Sequence, residues 1–168
     1  SASDLDEAVD AGKFVFMWDG EKVKVCRAVN SFVTTTGTKG ESFKKIKVVD
    51  TMDMIKDDIR LTAQDSYIGK YANSYDNKCL LVTAVNSYFA GLIQDGVLAS
   101  GKCEIDVDAQ RSYFSGKGGI VVVDGEEKKL EECTDDEVKQ ASTGSKVFLK
   151  ATVSILDAIE DIDLNIYI

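Results

Sequence analysis

Two long amphipathic stretches impose the strongest constraint on how this chain of 168 residues folds. The first runs from Asp50, a candidate N-cap, to about Tyr67, and the second runs over 78–95. Their apolar stripes consist of Met52, Ile55, Ile59 and Ala63, and of Leu81, Val85, Tyr88 and Leu92. Strands and helices do not alternate as strict βαβ units. The sequence therefore predicts an α+β fold, with two main helices packed on a mixed or antiparallel sheet.

Turn and cap signals place the shorter elements. Asp19-Gly20 lies between two strand-like runs and predicts a hairpin, and a second Asp-Gly hairpin is predicted over 119–132 as an excursion from the domain body. Thr134 and Glu137 form a capping-box pattern for a short helix over 134–142. Further predicted elements are an acidic helix that ends at Gly12 and strands over 44–49, 103–108 and 146–155.

Composition excludes several classes of partner. Hydrophobic residues make up 44% of the chain and charged residues 29%, which is typical of a globular domain. The net charge of −9 argues against binding to nucleic acid or to an anionic membrane surface and allows a basic protein partner. No apolar run approaches the roughly 20 residues of a membrane span, and no signal peptide is visible. The missing initiator methionine suggests a fragment or a processed product.

The chain lacks most of the residues that carry catalysis. It contains no histidine and no phosphate-binding glycine loop. Its four cysteines include no CxxC pair, and they are compatible with a reducing compartment. Glu104, Asp106 and Asp108 would share one face of a predicted strand and could bind Ca²⁺ or Mg²⁺, although a solvated strand face is the favoured interpretation. Asp157, Glu160 and Asp161 form a second acidic group. We therefore expect neither catalysis nor a cofactor.

The last seven residues, 162–168, alternate apolar and polar side chains with the period of a strand. Exposed strand edges recruit other chains, so natural proteins usually protect them. Three interpretations remain open. The strand pairs within its own domain, it adds to the sheet of a neighbouring copy, or a fragment boundary has exposed an edge that the parent protein covers.

Several stretches together resemble the C-terminal part of contractile tail sheath proteins of bacteriophages, prophages and R-type bacteriocins. One is the run from Gly12 to Asn30, in which a glycine precedes a strand, an Asp-Gly turn, a second strand and Arg-x-x-Asn. The most specific is the closing "KVFLKATVSILDAIEDIDLNIYI", a strand, an acidic link and a last strand. The resemblance covers most of the chain, and the hairpin over 119–132 departs from it and is interpreted as an insertion.

The resemblance implies a sheath domain over 1–161 and a C-terminal arm that pairs with a neighbouring subunit. The implied arm residues are Ile162, Asp163, Leu164, Asn165, Ile166, Tyr167 and Ile168. Sheath subunits polymerise around an inner tube and contract to drive it through a cell envelope. The implied partners are other copies, the inner tube protein and the baseplate. The implied location is the bacterial cytoplasm during assembly and the virion tail or released particle afterwards.

Sheaths of this family also contact the tube through charged residues, and the helix over 134–142 resembles the contacting region. The candidate contact residues are Asp135, Asp136, Glu137 and Lys139. Three alternatives stay open: the sheath of a bacteriocin or secretion machine, a carboxylate-based metal-dependent enzyme, and a monomeric binding module whose last strand pairs internally.

Overall fold

The computed structural model describes residues 2–123, 125–160 and 162–167. The chain divides into two compact units, one formed by Ser1–Asp57 with Ile155–Ile168 and the other by Asp58–Ser154. The helices are α1 (Ala2–Asp10), α2 (Ile46–Ser66), α3 (Tyr75–Gln94), α4 (Val107–Ser115) and α5 (Asp135–Gln140). The strands are β1 (Phe16–Trp18), β2 (Val23–Val25), β3 (Leu98–Ile105), β4 (Ile120–Val123), β5 (Glu126–Lys129) and β6 (Leu149–Ile155). Two 3-10 helices lie at Glu41–Lys44 and Leu130–Glu132. The predicted α+β class is confirmed.

The second unit is built on the contact between α3 and β3. Phe89 of α3 and Leu98 of β3 are fully buried there, and burial of a phenylalanine side chain contributes roughly 1.5–3 kcal/mol. The Asn86 side chain forms two hydrogen bonds with the backbone of Cys103, accepting from its N–H at 2.7 Å and donating to its carbonyl at 2.9 Å. The side-chain amide of Asn86 thus binds backbone groups that a neighbouring strand would otherwise bind. The strand that pairs with β3 is β6, in a two-stranded sheet.

A second hydrophobic cluster joins the hairpin β4–β5 to α4 and α5. Its buried members are Phe114, Val121, Cys133, Val138 and Ala141. The side chain of Val121 is fully buried, so the hairpin contributes directly to the core of its unit rather than standing away from it. The capping box predicted for α5 is present, because Thr134 and Glu137 each bind the other's backbone N–H.

The first unit holds α1, the hairpin β1–β2 and the beginning of α2. Gly12 follows α1 with a φ of 70°, and a Cβ at this position would lie 2.7 Å from the carbonyl oxygen of Asn30. Only glycine fits both the backbone conformation and this close approach. The α1 helix ends at Asp10, two residues before the predicted end, and Gly12 provides the left-handed turn that follows it.

Three predictions about the elements are wrong. The strands form three separate two-stranded sheets among the described residues, rather than one sheet. Residues 46–49, predicted as strand, are the first turn of α2, so Asp50 lies inside the helix and the buried stripe consists of Val48, Thr51 and Ile55. The strand predicted over 103–108 ends at Ile105, because Asp106 caps α4 by accepting the Ala109 N–H at 2.9 Å.

Two further observations concern the whole of the described chain. None of its helices is long and apolar enough to cross a membrane. All four cysteines are unpaired, and Cys103 and Cys133 are buried. A buried thiol behaves as a small apolar side chain, and burial raises the pKa of Cys103 above its usual value.

Gly101 provides a test of the α3–β3 contact. A Cβ at this position would lie 2.9 Å from the Cβ of Phe89, which is too close to relieve by rotating the ring. We expect Gly101→Ala to lower the free energy of unfolding by about 1–3 kcal/mol, the usual cost of overpacking a core. Urea denaturation of the full chain measures this change.

Gly91 is the matched control, because it lies in α3 where an added Cβ meets no atom within 4 Å. Gly91→Ala should stabilise the chain by up to about 1 kcal/mol through the higher helix propensity of alanine. Equal effects of the two substitutions would show that Gly101 is not a packing constraint.

Candidate intersubunit surface

The hairpin β1–β2 presents an apolar face to solvent. Its antiparallel register pairs Phe16 with Val25 and Trp18 with Val23, so these four side chains share one face. All four are exposed, Trp18 to 64% of its surface, and the ring of Phe14 packs edge-on against Phe16 at 5.5 Å between centroids. This contiguous exposed apolar surface makes the hairpin a candidate interaction site.

Asp19 stabilises the turn of this hairpin. Its carboxylate accepts the backbone N–H groups of Glu21 and Lys22 at 2.9 and 2.8 Å and also forms an ion pair with Lys24. The Lys24 ammonium, followed by these backbone donors, holds the pKa of Asp19 well below its usual range. Neither strand has another strand partner within the described ranges, so both outer edges of the hairpin are open.

The candidate arm is exposed along the part that the structure describes. Residues 162–167 belong to no helix or strand, and their apolar side chains face solvent, with Leu164 exposed to 77%. Asp161 and Ile168, the latter a predicted arm residue, lie outside the described residues. The described arm therefore offers both its backbone groups and its apolar side chains to a partner.

Glu160 fixes the chain just before the arm. Its carboxylate accepts a hydrogen bond from Arg27 at 2.7 Å and forms an ion pair with Lys45, which also lies 3.7 Å from Asp157. The Lys45 ammonium, with a smaller contribution from Arg27, holds the pKa of Glu160 below its usual value. The acidic link is thereby tied to two cationic side chains of the first unit.

The candidate tube-contact residues on α5 already have partners within the chain. Asp135 binds Arg111 at 2.7 Å, Asp136 binds Lys139 at 2.9 Å, and Glu137 binds Lys128 at 2.7 Å. The pKa of Glu137 is lowered to about 2, mainly by Lys128 and then by the Thr134 backbone N–H and hydroxyl. Asp135 and Asp136 remain largely exposed to solvent, so their free oxygen atoms can accept bonds from another molecule.

The structure separates the three carboxylates of the candidate metal site. Glu104 lies on β3, where it binds Lys102 and Lys150, which lower its pKa. Asp106 is the N-cap of α4, and Asp108 lies in the first turn of that helix. The prediction that they share one strand face is wrong, and no group of three metal-ligating side chains occurs within the described ranges.

Sequence reasoning missed the hairpin face and the cationic partners of Glu160. The first carries a readable signal, because an Asp-Gly turn between two alternating runs places Phe16, Trp18, Val23 and Val25 on one face. The pairing of Glu160 with Arg27 and Lys45 carries none, since more than a hundred residues separate the partners.

An exposed apolar hairpin and an exposed alternating arm are features of a chain that assembles with other chains. Residues 38–168 match the family model of the phage tail sheath C-terminal domain. The chain is 38% identical over 162 residues to the tail sheath protein of Clostridium phage phiCD119, which covers 96% of this chain and 43% of that relative. The chain belongs to the phage tail sheath family. The prediction that it is not an enzyme is confirmed, because these relatives are structural proteins.

Solved structures share the fold. The crystal structure of a sheath tail protein from Desulfitobacterium hafniense is 21% identical, with a TM-score of 0.57, and the match covers 64% of this chain and 26% of that one. A chain in the cryo-EM structure of the anti-feeding prophage baseplate is 17% identical, with a TM-score of 0.60 over 99% of this chain and 39% of that one. The chain thus spans less than half the length of the relatives that it matches.

The bonds of Glu160 predict that residues 157–160, which precede the arm, lose their order at acidic pH. Glu160→Gln removes the charge that holds Arg27 and Lys45, so the backbone order parameters of 157–160 should fall below about 0.6. In the unchanged protein these bonds are fully present above about pH 4.5, the ordinary pKa of glutamate, and are lost as the pH falls through the lowered pKa. NMR relaxation across a pH series measures both effects.

Glu41→Gln serves as the control, because Glu41 forms a local ion pair with Lys44 and its side chain is mostly exposed. It should leave 157–160 ordered. Unchanged order in Glu160→Gln would refute the anchoring role.

Proposed function

We propose that this chain is a subunit of a contractile sheath and that its arm, residues 162–168, adds as a strand to the β1–β2 hairpin of a neighbouring copy. One observation carries the proposal: an alternating, exposed arm and a hairpin with open edges and an exposed apolar face occur in the same chain. Strand addition would satisfy both at once, because it pairs the backbone of the arm and covers apolar side chains of the two partners.

The physical strength of such a joint is large enough for assembly. Each backbone hydrogen bond contributes roughly 0.5–1.5 kcal/mol and each apolar side chain that becomes fully buried roughly 1.5–3 kcal/mol. Three apolar residues of the arm, Ile162, Leu164 and Ile166, would lie on the same side of the added strand. A contact of this head-to-tail type does not close on two copies, so it generates rings or helical filaments.

Exchanged strands would also allow the sheath to contract. The subunits of the filament would assemble around an inner tube in an extended, metastable arrangement and then rearrange irreversibly while the exchanged strands keep them linked. The energy would come from assembly, so no nucleotide or metal is required. Assembly would take place in the bacterial cytoplasm, and the finished sheath would be attached to a baseplate in a phage tail or a released particle. A bacteriocin or secretion sheath is the alternative, and the neighbouring genes distinguish these cases.

Electron microscopy of the protein expressed alone tests strand exchange. The unchanged protein should form hollow tubes or stacked rings of uniform diameter. Deletion of 162–168, or Trp18→Asp on the hairpin, should abolish them, because each removes one side of the proposed joint. Circular dichroism and urea denaturation should show both variants folded, since Trp18 and residues 162–167 are exposed.

Ile68→Asp is the matched control, because Ile68 is exposed to a similar degree as Trp18 but lies outside the hairpin and the arm. It should still assemble. Monomers of the unchanged protein at all concentrations and salt conditions would refute the exchange, as would assembly by either interface variant. Unfolding of the arm deletion would favour the internally paired module.

We further propose that α5 contacts the inner tube through the exposed carboxylates of Asp135 and Asp136. The chain carries a net charge of −9, so a basic surface is the complementary partner. Asp136→Asn should reduce co-sedimentation with the tube protein encoded in the same gene cluster several-fold at low salt. The difference should vanish near 1 M salt, where the Debye length is about 3 Å.

Asp53→Asn makes the same change of charge on α2 at another exposed position. It should leave tube binding unchanged. Equal losses in the two variants would indicate a general charge effect, and equal binding by Asp136→Asn and the unchanged protein would refute a role for Asp136.

A further inference from the structure

Lys78 is a buried cation in the first turn of α3. Only 2% of its surface is exposed, although lysine is almost never buried to this extent without a partner. Removal from water disfavours the ammonium and lowers the pKa of Lys78. A buried charge is kept only where nearby groups compensate for the lost hydration, so its surroundings call for an explanation.

The compensating groups are backbone carbonyls at the end of α5. The Lys78 Nζ donates to the carbonyl of Ala141 at 2.9 Å and to that of Lys139 at 3.4 Å. These carbonyls belong to the last turn and the C-cap of α5, where helix carbonyls lack partners within the helix and where a positive charge is favourable. Lys78 therefore donates hydrogen bonds to carbonyls at the C-terminal end of α5 rather than forming an ordinary ion pair.

Asn73 makes a second set of bonds to the same segment. Its side-chain amide donates to the carbonyls of Gly144 and Lys146 at 2.7 and 2.9 Å and lies 3.2 Å from the hydroxyl of Thr143. The Thr143 side chain is itself fully buried and donates to the Lys146 carbonyl. Two side chains within six residues of each other thus hold the chain from 139 to 146.

We propose that Lys78 and Asn73 are positioning residues that fasten α5 and the α5–β6 connection to the first turn of α3 and to the residue before its N-cap, so that α5 and β6 respond together to a displacement of either. The part of this proposal that concerns tube contact rests on the proposed function. The connection leads from the helix proposed to contact the tube to the strand that precedes the arm. The two side chains act on α5 and on the connection, and neither needs to touch the tube.

Two further features explain why α5 needs such a fastening. A helix of six residues is too short to be stable alone. Its buried apolar anchors at this end are Val138 and the capping residue Ala141, while Asp135 and Asp136 of its first turn are exposed. Without Lys78 the carbonyls of the last turn would lose their donor in a buried site, which favours fraying of α5 from its C-terminal end.

Hydrogen–deuterium exchange of the full chain tests the fastening without any tube or assembly. Lys78→Met replaces the aliphatic stem with an unbranched thioether of equal length and removes the ammonium, and should speed exchange in 135–141 about tenfold. Asn73→Ala should speed exchange by a similar factor in 143–147 and leave 135–139 nearly unchanged. Exchange at Cys103, whose N–H is held by Asn86, should stay as slow as in the unchanged protein in both variants.

The controls separate fastening from general stability. Lys56→Met makes the same substitution at an exposed site of α2 and should alter no segment. Uniform acceleration throughout the chain in both variants, or no acceleration in 135–147, would overturn the proposal. If Lys78→Met does not fold, the localised effect of Asn73→Ala decides the matter, because Asn73 lies outside the helices and is only half-buried.

Co-sedimentation with the tube protein of the same gene cluster supplies the functional measurement. Lys78→Met should bind the tube several-fold more weakly, although every charged side chain of α5 is unchanged. Full tube binding together with a frayed α5 would overturn the positioning role. If the unchanged protein does not bind the tube, the proposed function of α5 fails, whereas the exchange experiment still tests the fastening by itself.

Discussion

The close approach of α3 to β3 is the constraint on which the second unit depends. Gly101 lets the strand lie directly against Phe89, and Asn86 binds the backbone of Cys103 where a neighbouring strand would otherwise be needed. A sheet of two strands is marginal alone and needs a helix packed on it. Because β3 also pairs with β6, the position of the strand that leads toward the arm follows from this one helix–strand contact.

The distribution of apolar residues differs between the parts of the chain in a way that suits assembly. The second unit buries Phe89, Leu98 and Val121 completely, whereas the hairpin β1–β2 exposes an aromatic face and the described arm exposes most of its surface. A hairpin of three-residue strands gains little stability from its own contacts. Its order comes instead from the turn at Asp19, so the apolar face is available without being needed for folding.

Sequence patterns predicted those elements whose signals are local. Both hairpins, the capping box of α5 and the two long helices are set by turn residues, caps and periodicity within a few residues, and all are present. The errors arose where local signals overlap. Residues 44–49 alternate like a strand but also continue the stripe of α2, and the alternation over 103–108 includes Asp106, whose carboxylate caps a helix. The strand wrongly predicted over 103–108 would place Glu104, Asp106 and Asp108 on one face, and the hypothesis of a metal site depended on that placement.

The features that local patterns could not predict are the long-range polar bonds, and these fix the segments nearest the proposed contacts. Glu160 ties the base of the arm to Arg27 and Lys45, and Lys78 ties the end of α5 to α3. Both use a cation to hold a short segment with few buried apolar side chains of its own. Hydrogen bonds and ion pairs are directional, so they fix orientation where the hydrophobic effect does not. Assembly through an arm requires that its starting direction be fixed while its own residues stay free to pair.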